Sequence, residues 1–144
     1  MLSKKQNCVR LFTNEMTTDE IIAYLKALNW NGNFKKLLVL FNFLNLYIDK
    51  QYILDFDIFK DLISSKIGIN FSLDYNKSNI LILFLRKLVD MKLCNRENIE
   101  KICSFISSND KNILKYISHF KISVDNDLIY TKIYLKLIPN MKWR

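Results

Sequence analysis

An all-α fold, a single compact bundle of about seven helices, is what this sequence predicts, on three observations. The stretch from Thr17 to Leu46, TTDEIIAYLKALNWNGNFKKLLVLFNFLNL, reads as two abutting helices with marked ends. The second of them, and the first half of NILILFLRKLVDMKL further on, are apolar on nearly every side, and a helix with no face for water belongs inside a bundle. Half of the 144 residues are apolar while only two are Gly and one is Pro, so the chain is poor in turn punctuation and favours helices. A chain of this length makes one domain. It divides into a basic lead over residues 1–16, with Lys4, Lys5 and Arg10 against Glu15, and a helical domain over 17–144.

Thr17 with Glu20 three residues later is a capping-box pattern, and Asp19 adds negative charge at the positive end of the helix dipole, so helix 1 starts near Thr18. Ile21, Ile22, Leu25 and Leu28 form its apolar stripe, and Asn31-Gly32 is the expected stop because both tolerate left-handed geometry. Asn33 caps helix 2, which runs to about Ile48 with Phe34, Leu37, Leu38, Phe41 and Leu44 at helical spacing. Asp55 reads as the N-cap of helix 3, with Ile58, Phe59, Leu62 and Ile63 inward and an end near Gly68. Ile69, Phe71, Leu73 and Tyr75 then alternate as a short extended segment. Ser78 caps helix 4, Asn95 caps helix 5 with Ile99, Ile102, Cys103 and Ile106 on one face, and Asn109 or Asp110 restarts the chain for Ile113, Leu114, Ile117 and Phe120.

Residues 120–138 admit two readings. Phe120, Ile122 and Val124 alternate, as do Ile129, Thr131, Ile133 and Leu135, with Asp125-Asn126-Asp127 between them, which is a hairpin pattern. Asp125 also serves as the cap of a helix with Leu128, Ile129, Ile133 and Leu137 on one side, ended by Pro139. Periodicity does not separate the two.

Little here points to catalysis. His119 is the only histidine and has no Cys or Ser at a recognisable spacing. Gly32 and Gly68 cannot build a phosphate-cradling loop, and Cys8, Cys94 and Cys103 with one histidine do not make a zinc site. Asp55 and Asp57 as paired carboxylates are better explained by helix capping. No enzyme, cofactor or metal is expected. Three cysteines without CxxC spacing, and no secretory segment read ahead of them, point to a reduced cytoplasmic protein. The longest apolar runs fall well short of the ~20 residues of a transmembrane helix, so no membrane anchor is expected. Most of the phenylalanines sit at core spacing, whereas Trp30 and Trp143 lie at element edges, where tryptophan often marks a contact.

Several segments, taken in order, resemble the poxvirus Bcl-2-like family of intracellular inhibitors of host defence. TTDEIIAYLKALNW at Thr17 to Trp30 is similar to that family's first helix, NGNFKKLLVLF at Asn31 to Phe41 to its second, and DFDIFKDLI at Asp55 to Ile63 to its third; NRENIEKICSFISS at Asn95 to Ser108 is similar to its central helix. The Asn-Trp-Gly-Arg signature of cellular Bcl-2 relatives is missing, since Asn29-Trp30 is followed by Asn31. The resemblance implies a non-enzymatic protein that binds a host apoptosis or innate-signalling (NF-κB pathway) protein in the host cytoplasm. Its contact would be either a groove with Leu38, Phe41, Phe59 and Leu83 as apolar anchors or an outer face with Tyr24 and Trp30, the latter also a site for homodimerisation.

The second reading is a basic nucleic-acid-binding module. Net charge is +8, with the lysines scattered rather than in runs. If residues 96–138 run helix, turn, helix, hairpin, they form a winged helix, with Lys111, Lys115 and His119 on the recognition helix and Lys121, Lys132 and Lys136 on the wing. A basic subunit of a ribosome-like assembly is the related alternative. Strands at 120–138 favour this reading, and helices there favour the host-protein one.

Overall fold

The computed structural model describes residues 8–49, 51–73, 78–108 and 110–140, and their order is strand β1 (Cys8–Met16), helices α1 (Thr18–Ala27) and α2 (Phe34–Leu44), strands β2 (Tyr52–Phe59) and β3 (Leu62–Phe71), helices α3 (Ser78–Asp90) and α4 (Arg96–Ser107), and strands β4 (Ile113–Asp125) and β5 (Leu128–Pro139). The five strands form one antiparallel sheet in the order β1-β2-β3-β4-β5. The fold is therefore mixed α and β in two layers, and the expected all-α, Bcl-2-like bundle of seven helices is overturned.

The error has a local cause. Ile58, Phe59, Leu62 and Ile63 keep helical spacing only because they straddle a hairpin turn at Lys60-Asp61, where Lys60 takes a left-handed φ of 50°. On either side of that turn the pattern has period two: Leu54 and Phe56, Ile67 and Ile69 enter the core while Asp55, Asp57 and Lys66 alternate with them. Expected helix 3, capped by Asp55, is thus the β2–β3 hairpin. The expected sixth helix, from Ile113 to Phe120, is the first half of β4. The hairpin reading of residues 120–138 is the correct one, with its turn at Asn126-Asp127 and Asn126 at φ 52°, a geometry asparagine tolerates.

All four helices were legible, the expected fourth among them as α3. Thr17 and Glu20 exchange side-chain and backbone hydrogen bonds at 3.3 and 2.7 Å, the complete capping box, while Asn33 and Asn95 cap α2 and α4. Their ends were less so. Helix α2 stops at Leu44 rather than Ile48. The left-handed residue closing α1 is Asn29, not Asn31-Gly32: Asn29 N–H bonds Lys26 O and Trp30 N–H bonds Leu25 O, a Schellman motif. Gly32 has no positive φ; it is needed because the Trp30 ring lies where a Cβ would be. Tyr75 and Trp143 lie outside the described residues, as do Lys4, Lys5 and the N-terminal half of the basic lead. From Cys8 onward that lead is β1.

All four helices pack on one side of the sheet. Phe84 of α3 meets Phe120 at 5.2 Å and Phe71 at 5.9 Å, edge-on to both, and stacks with Phe43 of α2 at 5.9 Å. Leu54, Ile69 and Ile122 fill one inner row; Leu11, Phe56, Ile67, Val124 and Ile129 form another across all five strands. Trp30 pins the layers together by donating from Nε1 to Ser65 O at 2.9 Å. At β5 the loop after α3 reaches the sheet edge, where Thr131 N–H bonds Leu93 O at 3.1 Å. No described helix is long and apolar enough to cross a membrane.

Candidate functional site

Antiparallel alternation that sends one set of residues to the core sends the other to the opposite face, and among the described residues no second layer covers that face. Its centre is a row of Asp55, Gly68, Ser123 and Tyr130, one from each of β2 to β5. The next row toward one end carries Ile53, Asn70, Lys121 and Lys132, and beyond it His119 lies opposite Tyr134 and Tyr116 opposite Lys136. Toward the other end Arg10 lies opposite Asp57, and Lys66 opposite Asp125.

Two ion pairs tie the face together. Asp55, only 3 % exposed, receives Lys121 Nζ at 2.7 Å on each carboxylate oxygen, while Asn70 Nδ2 donates to Oδ2 at 2.7 Å and to Ile53 O at 3.1 Å. Gly68 makes this possible, since a Cβ there would collide with Lys121 Cε and Asp55 Oδ2. Asp57 takes a bidentate guanidinium from Arg10 at 2.8 and 2.9 Å, which holds its carboxyl below the usual carboxylate range. Each aspartate is held by its own cation, and they do not pair with each other.

Around these pairs lie cations and rings. Lys66 Nζ sits 5.5 Å from the Tyr130 ring centre, and its hydrogen bonding toward the phenol lowers the Tyr130 pKa and raises its own. Lys132 Nζ approaches the same ring at 6.0 Å. His119 and Tyr134 stack at 4.3 Å and 7°. Along β5 the uncovered face therefore reads Tyr130, Lys132, Tyr134, Lys136, ring and cation in alternation, with same-face neighbours about 6.7 Å apart. Among the described residues no carboxylate forms an ion pair with Lys132 or Lys136. Ser123 Oγ is buried without a hydrogen bond of ordinary geometry, a situation worth about 1–3 kcal/mol of lost solvation unless a ligand or water meets it.

No family model, curated protein or solved structure matches this chain. The functional reading rests on the geometry alone.

Of the residues singled out for nucleic-acid contact, His119, Lys121, Lys132 and Lys136 are brought together on this face. They do not form a winged helix, because the expected recognition helix is strand β4. Lys115 points to the helix side, 4.9 Å over the Phe105 ring and 2.6 Å from Ser108 Oγ, and Lys111 lies in the turn before β4. The expected groove anchors are scattered. Phe41 is core, 5.3 Å from the Tyr52 ring; Phe59 sits at the end of β2 beneath Lys60; Leu38 and Leu83 are exposed on α2 and α3. Of the outer-face pair, Trp30 is buried and Tyr24 packs half-exposed against Phe56. Sequence reasoning missed Arg10, Lys66, Ser123, Tyr130 and Tyr134. The alternation along β5 carried the signal for two of them, but only its apolar set, from Ile129 to Leu135, was noticed.

Proposed function

We propose that this chain binds single-stranded nucleic acid on the uncovered face of its sheet. The observation that carries the reading is the Tyr130, Lys132, Tyr134, Lys136 ladder beside His119. Proteins that hold single strands combine backbone-tracking cations with rings on which bases stack, and a face of this composition offers both. The net charge of +8 adds long-range attraction for phosphates. The partner is single-stranded rather than duplex because stacking on Tyr130, Tyr134 or His119 needs bases that are not already stacked in a helix. The host-protein reading draws no such support: of its groove anchors Phe41 lies in the core, and of its alternative outer-face pair Trp30 does.

Fluorescence anisotropy with single-stranded RNA, single-stranded DNA and duplex DNA at low and physiological salt tests the reading. Binding is expected to favour single strands and to weaken with salt. In the Lys132→Gln/Lys136→Gln double variant the log–log salt slope should fall by about 1.4, from roughly 0.7 per phosphate contact. Equal affinity for duplex, or a double variant with an unchanged slope, defeats the proposal.

A further inference from the structure

At the centre of the uncovered face a cavity of about 80 Å³ opens over Gly68. We infer that it is a site for a phosphate group, a proposal that deepens the nucleic-acid reading and rests on it. Four cations line it, Arg10, Lys66, Lys121 and Lys132, against two carboxylates, Asp55 and Asp57. The carboxylates are already engaged, Asp57 by both arms of Arg10 and Asp55 by Lys121 and Asn70. They have little capacity left for a metal ion. Lys66 and Lys132 retain N–H donors directed by neither carboxylate.

The independent observation is Ser123. The residue is 1 % exposed and lines the cavity, and its hydroxyl makes no hydrogen bond of ordinary geometry, its one polar neighbour being the phenol of Tyr130. A hydroxyl left unmatched inside a ring of cations is suited to an oxyanion. A cavity of this volume admits a tetrahedral oxyanion, and it lies beside the Lys121–Asp55 pair that fills the space above Gly68. A phosphate there would accept from Ser123 Oγ and from the ammonium groups of Lys66 and Lys132. The ladder along β5 would then continue from this point, with Tyr130 bordering the cavity row and Lys132 shared between the two.

The test is a titration of the full chain with inorganic phosphate, followed by NMR at the Gly68 and Ser123 amides. Saturable shifts are expected in the wild type and in Lys101→Gln, a variant on the exposed side of α4. Affinity should fall about tenfold in Lys132→Gln and about fivefold in Ser123→Ala, the loss of one charge-assisted and one neutral hydrogen bond. A 5′-phosphorylated oligonucleotide binding tighter than its 5′-hydroxyl counterpart would assign the group to a strand terminus, and equal binding to a backbone diester. No phosphate shift, or shifts unchanged in Lys132→Gln, would overturn the site and leave water as its occupant. Oligonucleotide binding that survives such a result would keep the function and remove only this inference, whereas loss of both would end both.

Discussion

The two faces of the sheet come from the same five strands and differ in almost every physical respect. On the helix side, alternate residues are Leu, Ile, Val and Phe, closed off by α1 to α4; on the other, the residues between them are mostly Arg, Lys, Asp, Tyr and His, and no described residue forms a layer over them. The apolar face holds the fold, and the charged face is held by it. Asp55 makes the contrast sharpest, because it sits on the uncovered side yet is as buried as its core neighbours, covered by the Lys121 side chain that neutralises it. A carboxylate is sustained there because its charge is matched and its oxygens are hydrogen-bonded.

The largest expected effect is on the helix side. Phe84→Ala, which empties the ring meeting Phe43, Phe71 and Phe120, should cost about 3–5 kcal/mol in denaturant unfolding, whereas Tyr134→Ala on the other face should cost under about 1 kcal/mol and act on binding instead. Similar losses from both would mean that the uncovered face is structural. Next comes Lys121→Met, which strands the buried Asp55 charge and should cost about 3 kcal/mol; adding Asp55→Leu should recover part of that loss in a double-mutant cycle. Thr17→Ala breaks the capping box of α1 and should cost about 1 kcal/mol, with little change in binding.

The smallest effect is a pH dependence. The folded pKa of Asp57 lies below its unfolded value of about 3.9, so its pairing with Arg10 contributes fully above that pH and is lost as pH falls through the folded pKa. The pair is half-exposed, which keeps the contribution below about 1 kcal/mol. Asp57→Asn should therefore be less stable than the wild type by under about 1 kcal/mol near neutrality, with a flatter acid limb, and should converge with the wild type as pH falls through the folded pKa of Asp57.

Elements defined by side-chain chemistry at their ends were legible in the sequence, and elements defined by distant pairing were not. Thr17 with Glu20, Asn33 and Asn95 announce helices through hydrogen bonds to backbone only two or three residues away. The β2–β3 hairpin carries no such label: its turn is Lys60-Asp61, without Gly or Asn, and Phe59 and Leu62 across it imitate a helical step. Its stabilisation comes from β1 and β4, far away in the chain. The candidate site was half legible for the same reason. Lys132 and Lys136 stood out as charges near His119, but their union with Arg10 and Lys66 depends on register across all five strands, which no local pattern encodes.

The most direct measurement of the central claim is NMR chemical-shift mapping of the full chain titrated with a short single-stranded oligonucleotide. The account predicts that the aromatic signals of Tyr130, Tyr134 and His119 and the amides of β4 and β5 shift together, while α2 and α3, around Leu38 and Leu83, stay in place. Shifts confined to those helices, or none on the sheet at saturating oligonucleotide, would contradict it.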